Sequence, residues 1–285
     1  MPSLSGKTSL WSVVALACVT GCGKASPAPC PAAIDNPNSA VFTSKAEVSL
    51  SPSTVATGES PFGDAVANGY LHAFVTSSAA PQAAIETADA IHDNAACGVD
   101  AGVLSLPAGT VTAQDLRNAL PTTDVLVTEK LLLHALFNVL EHGVAGPQGA
   151  IDTSTGRLVM VAGLQYTVDC SQPAEVVTTA GGQSVRVTEG SRVRSITING
   201  QTFARSDETA DTQPIPIVLP ESLAQGRDDF FDLRDTWVEQ GNSAYQATTT
   251  SAFDAVDGFL STLQAAQGSV TLGTDNRITL SNCGS

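Results

Sequence analysis

The chain has 285 residues, 42% of them hydrophobic and only 14% charged, enough apolar material for one domain with a full core plus short appendages. Acidic residues outnumber basic ones 28 to 13, for a net charge of −15. Such a surface repels phosphate backbones, which argues against a nucleic-acid partner.

The N-terminus reads as a targeting segment over residues 1–21. Lys7 gives a thin positive start, and "TSLWSVVALACV" is an apolar run too short to span a bilayer. "VTGC", Val19 to Cys22, is similar to the lipobox of bacterial lipoproteins, in which the cysteine becomes acylated. Cys22 fits better than Cys18, which lacks a branched aliphatic residue three places upstream. The alternative is an ordinary cleaved signal peptide. The lipobox reading makes the protein exported and lipid-anchored in the cell envelope, with its membrane contact through that anchor. Gly23 rather than Asp follows, so nothing marks retention in the inner membrane, and the outer membrane is the expected location. Residues 22–45, rich in Pro, Ala, Ser and Asn, read as a tether. Beside Cys22, the exported chain keeps Cys30, Cys97, Cys170 and Cys283. Four cysteines in an oxidising compartment suggest two disulfides, with three possible pairings. None are close enough in sequence to suggest a metal site.

Residues 46–285 read as one mixed α/β domain. "AEVSL" is a short strand candidate. "ESPFGDAVANGYLHAFVTSS" reads as a helix with Ser60 as N-cap and Pro61 at its first position, burying Ala67, Tyr70, Leu71, Phe74 and Val75. "PQAAIETADAIHDNAA" reads as a second helix. "TEKLLLHALFNVLEHG" has the strongest helical pattern, with an apolar face of Leu132, Leu133, Leu136, Phe137, Val139 and Leu140. Lys130, His134, Asn138 and Glu141 line its other side, and Gly143 is a natural stop. "RLVMVAGLQYTVD" alternates as strands do, and Asn199-Gly200 is a type I′ turn signal within a hairpin series. "SAFDAVDGFLSTLQAAQG" reads as a helix capped by Ser251 and ended by Gly268, and "NRITL" as a closing strand.

Chemistry is harder to find. The histidines, His72, His92, His134 and His142, stand in no metal-binding pattern, and no phosphate loop, nucleophile elbow or cofactor motif appears. His134, Asn138, Glu141 and His142 could crowd one helical side as ligands, but read more simply as the polar face an amphipathic helix shows to water. Asp228-Asp229, in "LAQGRDDFFDL", could bind a cation or accept hydroxyl hydrogen bonds; an ordinary acidic turn is the plainer reading.

In order, the segments resemble the C-terminal domain of the 5′-nucleotidase / 2′,3′-cyclic-phosphodiesterase family, from about Glu47 to Leu280. "ESPFGDAVANGYLHAF" is similar to the family's E-S-N-L-G-N-L-V-A-D-A, "LPAGTVTAQDLRNALP" to its P-A-G-x-I-T run before a P-F-G-N loop, and "GRLVMVAGLQYTVD" to its G-x-x-L-x-V-S-G-L-x-Y-x-Y-D strand pair. "SRVRSITINGQTF" resembles V-x-x-V-x-V-N-G, "LAQGRDDFFDL" resembles L-A-S-G-G-D-G-Y, and "DNRITL" the closing D-G-R-I. Full-length members place a dimetal phosphoesterase domain before this one, which binds the nucleoside part of the substrate. The short tether leaves no room for the catalytic domain, so this chain alone is not expected to hydrolyse phosphate esters.

The resemblance implies a worn ligand site. Gly226 and Asp228 keep the first Gly and the Asp of G-G-D-G-Y, and in the family that Asp contacts the nucleoside; Arg227 and Asp229 replace the other two glycines. "PTTD" puts Thr122 and Asp124 where the family has an aromatic and an Asn, and Ser222 lies near the second aromatic position. Stacking on an aromatic is worth about 1–3 kcal/mol per base, so losing both rings weakens nucleoside binding by roughly a hundredfold. The substrate-contacting arginine of N-x-G-G-I-R has no counterpart: the aligned residue is Val103 or Leu104, in a loop holding Cys97. An extra stretch, "CSQPAEVVTTAGGQSVRVTEG", enlarges a hairpin from Cys170, which the resemblance suggests is tied by Cys97–Cys170, leaving Cys30–Cys283. Asp228, Asp124 and Asp100 would make the pocket acidic. That suits a cationic or hydroxyl-rich partner better than a phosphate. The partners expected are a nucleoside-like small molecule or an envelope protein. The implied role is a non-catalytic binding or interaction module. The alternatives are a partner of a separately encoded metallophosphoesterase chain and a structural envelope domain with a closed pocket.

Overall fold

The computed structural model describes residues 36–76, 80–92, 105–180, 182–207, 213–240 and 246–284. In chain order the elements begin with β1 (Ala40–Ser44), β2 (Val48–Ser49), α1 (Pro52–Val55), α2 (Pro61–His72), β3 (Ala83–Thr87) and α3 (Asp89–His92). Next come β4 (Ser105–Leu106), β5 (Gly109–Thr112), α4 (Ala113–Ala119), β6 (Val125–Leu131), α5 (Leu133–Gly143), β7 (Val159–Ala162) and β8 (Leu164–Asp169). The chain continues through β9 (Val176–Ala180), β10 (Gln183–Thr188), β11 (Val193–Ile198), β12 (Gln201–Ala204), β13 (Ile215–Pro220) and α6 (Glu221–Ala224). It finishes with α7 (Phe231–Gln240), β14 (Gln246–Ser251), α8 (Ala252–Gln267) and β15 (Ile278–Ser281).

The domain is a mixed α/β fold. A five-stranded sheet runs β14-β6-β13-β3-β7, and a four-stranded sheet runs β12-β11-β8-β15. In the first, only β13 and β3 are parallel; in the second, only β15 and β8. The extra hairpin, β9–β10, stands apart as a two-stranded ribbon. β1 pairs with β5, so Ala40–Ser44, inside the stretch read as tether, already belongs to the fold.

Several local readings hold. The Ser60 hydroxyl accepts from the Gly63 amide at the start of α2. Ser251 caps α8 by accepting from the Asp254 amide, and Gly268 ends that helix in the left-handed region. Asn199 and Gly200 both have positive φ, as a type I′ turn requires. Two glycines of α2 are required by packing: a Cβ on Gly69 would lie 2.8 Å from the Val256 Cα on α8, and one on Gly63 would meet the Met160 side chain on β7.

Other readings are corrected. "AAIET" is a central strand, β3, with every residue buried, and among the described residues of that stretch only Asp89–His92 after it is helical. A strand buried on both faces loses the alternation that marks strands, and its alanines mimic a helix. Thr128, Glu129, Lys130 and Leu131 end β6, and the helix starts only at Leu133. Pairing of β6 with both β13 and β14 overrides the helical pattern. Leu132, placed on the apolar face, is half exposed at the helix N-cap, and Val75 projects into solvent beyond the end of α2.

The disulfide is Cys170–Cys283, so the pairings Cys97–Cys170 and Cys30–Cys283 are not formed. β8 and β15 run parallel with Asp169 opposite Ser281, which delivers the two following cysteines to the same place. Closing a loop with a sequence separation of 113 constrains the unfolded chain by about 4–5 kcal/mol in the chain-entropy account. Cys22, Cys30 and Cys97 lie outside the described residues.

Candidate functional site

Four of the positions singled out by the resemblance, Asp124, Ser222, Gly226 and Asp228, lie at one end of the five-stranded sheet. β3 and β13 are parallel, and β6 is antiparallel to β13, so the end of β3, the end of β13 and the start of β6 lie together. Glu86 and Thr87 come from β3, Asp124 immediately precedes β6, and Ser222 sits in α6 just after β13. This is the position outside the carboxyl ends of parallel strands where α/β sheets bind ligands.

The loop after α6 reaches the same place. Gly226 has φ +94, where side chains are disfavoured. Asp228 and Asp229 have φ +58 and +65, uncommon for residues other than glycine. The turn sends Arg227 inward. Its Nε donates to Asp228 at 3.1 Å. Nη1 donates to Asp124 at 3.3 Å and to Ser222 Oγ at 3.0 Å. Nη2 donates to Glu86 and to Thr87 Oγ1, the latter at 3.2 Å. A guanidinium has five N–H donors, and these contacts supply five acceptors. The Arg227 side chain is only 20% exposed.

The acceptors are themselves held. The Tyr70 hydroxyl and the Thr87 amide both donate to Glu86 at 2.8 Å. Ser222 Oγ donates to Asp124, and Thr87 Oγ1 donates to Asp228. Burial raises the Glu86 carboxyl pKa despite the pull of Arg227. Burial pushes the Tyr70 hydroxyl well up, and the Glu86 charge adds to it. Burial alone would lower the Arg227 pKa, but Glu86, Asp228 and Asp124 outweigh it and hold the guanidinium charged.

Of the residues singled out from the sequence, Gly226, Asp228, Asp124 and Ser222 are brought together here. Thr122 is buried beside them: its hydroxyl accepts from the Asp124 amide at 3.0 Å, and its carbonyl accepts from Arg117. Asp100, Val103 and Leu104 lie outside the described residues. Glu86, Thr87 and Tyr70 were missed. The first two sat in a stretch read as helix, and Tyr70 was read as ordinary core. The cation facing these carboxylates is Arg227 of the same chain. The plain acidic turn is therefore only half correct: Asp229 is exposed, whereas Asp228 is engaged.

A second polar cluster lies on α5. His142 and Glu175 of the hairpin root are hydrogen-bonded and both fully buried. Arg186 donates to Glu175 at 3.1 Å and to Asp232 of α7 at 2.9 Å. Phe230 and Phe231 set their edges against the His142 ring. Glu141 is also buried and accepts from the amides of Arg192 and Val193. The reading of His134, Asn138, Glu141 and His142 as a solvated face is therefore corrected for the last three, which are buried: Arg205 meets Asn138, the Arg192 and Val193 amides meet Glu141, and Glu175 and Phe231 meet His142. Among the described residues, no group of three His, Cys, Asp or Glu side chains could hold a metal ion, and no helix is long and apolar enough to cross a membrane. Cavities of about 160 and 400 Å³ open elsewhere, beside Pro61 and Leu272 and beside Asp275 and Arg277.

The comparisons with known proteins agree with the fold. The 5′-nucleotidase C-terminal domain family matches residues 40–212, more than half of the chain, and the chain belongs to that family. No curated protein matches the chain. Among solved structures, the 5′-nucleotidase precursor from Thermus thermophilus is similar with a TM-score of 0.65 and 22% identity, over 86% of this chain and 40% of that one. A putative 5′-nucleotidase from Staphylococcus aureus gives 0.56 and 12%, over 87% and 42%. The Haemophilus influenzae NAD nucleotidase gives 0.53 and 15%, over 87% and 37%. At these identities the likeness is one of fold, and the chain spans about two fifths of the length of those structures.

Proposed function

We propose that this chain is a non-catalytic member of its family: an exported, Cys22-anchored envelope lipoprotein whose domain serves as an interaction module rather than a nucleoside site. One observation carries the reading. Arg227, at a position where the family pattern has glycine, saturates the ligand-site acceptors Glu86, Asp124, Asp228, Ser222 and Thr87. A nucleoside would have to displace a buried, fully hydrogen-bonded guanidinium, without the two aromatic rings that the family pattern supplies. The lipid anchor and envelope location rest on the N-terminal sequence.

Calorimetric titration of adenosine and of AMP into the soluble domain tests it, with Asp228→Ala alongside. The expected outcome is no binding heat from either compound. Binding that Asp228→Ala weakens would overturn the reading. It would favour the alternative, in which the chain forms part of a nucleotide-hydrolysing system with a separate metallophosphoesterase chain.

A further inference from the structure

We propose that Glu86, Asp124 and Asp228, with the hydroxyls of Ser222 and Thr87, form a guanidinium-binding socket that Arg227 occupies in cis as an autoinhibitory contact, and that the ligand class it takes when Arg227 swings out is a guanidinium cation. The inference rests on the reading that Arg227 closes the site, and adds what the open site would bind.

Two observations carry it. The first is geometric: the five acceptors meet all five guanidinium donors, with Nε, Nη1 and Nη2 each engaged. Such a planar fork discriminates; an ammonium has three donors in a different arrangement and cannot satisfy the set. Second, the socket is built without help from its occupant. Tyr70 and the Thr87 amide hold Glu86, Ser222 holds Asp124, and Thr87 holds Asp228. None of these bonds involves the Arg227 side chain.

The charge balance sets the ligand's sign. Three carboxylates face one guanidinium, so the site stays electronegative even when Arg227 is seated. Phosphate-bearing ligands are disfavoured in either state. An arginine side chain of a peptide and a small free guanidine share the required chemistry.

The test is rescue of Arg227→Ala in the full soluble domain, read as thermal midpoint. The variant is expected to melt several degrees below the wild type. Millimolar methylguanidinium is expected to restore at least half of that loss, whereas methylammonium or sodium chloride at the same concentration restores little. The wild type, already occupied, is expected not to shift. A blocked tripeptide with a central arginine, run in parallel, separates a peptide ligand from a small guanidine. Adding Asp124→Asn to the variant is expected to abolish the rescue. If Arg227→Ala does not fold, Arg227→Gln, which keeps a polar stem, takes its place. Absence of rescue, equal rescue by methylammonium, or an equal shift of the wild type would overturn the proposal. None of these results bears on whether the wild type binds adenosine, so the two readings fail separately.

Discussion

At the residue scale, Glu129 is the outlier. It lies on β6, opposite Ile217 of β13, and is 2% exposed. Neither carboxylate oxygen has a hydrogen-bond partner. Burial pushes its pKa up to about 8. Asp64 is raised to about 8 as well, by burial and then by its neighbour Glu59. A carboxyl whose folded pKa is raised binds its proton more tightly in the folded state. Its contribution is therefore complete below the ordinary carboxylate pKa and is lost as pH rises through about 8. The thermal midpoint is expected to fall between pH 5 and pH 9. Glu129→Gln keeps the shape and removes the titration, so it is expected to flatten that fall and stabilise the domain by about 2–3 kcal/mol at pH 9. Urea unfolding at pH 5 and pH 9 checks this; an unchanged pH dependence in the variant would show that Glu129 is not the titrating group. The sequence could not single out Glu129, because inside an apparent helix a glutamate between threonine and lysine looks like ordinary surface.

At the element scale, the inserted hairpin explains most of what the sequence concealed. β9–β10 turns Val176, Val185 and Val187 to solvent, and Arg186 the other way, to Glu175 and Asp232. Its root is fixed by Cys170–Cys283 and by the fully buried Arg192. That guanidinium donates to the carbonyls of Gln172, Val144, Ala150 and Pro147, gathering the end of α5 and the loops beside it. The amphipathic reading of α5 found its apolar face correctly. It failed on the polar face because helical periodicity assumes that polar residues meet water. Here a stretch inserted more than thirty residues later meets His142 instead. Glu175→Gln is expected to weaken both the His142 and Arg186 contacts. The hairpin amides, from residue 176 to 188, should then exchange at least tenfold faster while those of β6 and β13 stay protected. Equal protection in variant and wild type would place the anchorage elsewhere.

At the scale of the whole molecule, the fold was more legible than the site. Collinear motifs such as Asn199-Gly200 and the Ser60 cap need only local chemistry, and they survive in this chain. The order of those motifs carried the fold class. The site was legible as a set of positions: Gly226, Asp228, Asp124 and Ser222 do meet. What no pattern conveys is that the residue replacing a glycine becomes the occupant. That required knowing that β3 is a strand ending at Glu86 and Thr87, and the same alanine-rich stretch had masked it. The chain thus keeps the architecture of a nucleotidase C-terminal domain, and Arg227 fills the polar cluster at the end of β3. The central claim is that Arg227 is seated in solution. The most direct measurement is the arginine Nε–H region of a ¹⁵N-correlated NMR spectrum of the wild-type domain at neutral pH, with Arg227 assigned by its loss in Arg227→Ala. A seated guanidinium is expected to give a sharp Nε–H signal that exchanges slowly with water and does not move when adenosine is added. A signal exchanging as fast as that of an exposed arginine, or displaced by adenosine, would contradict the account.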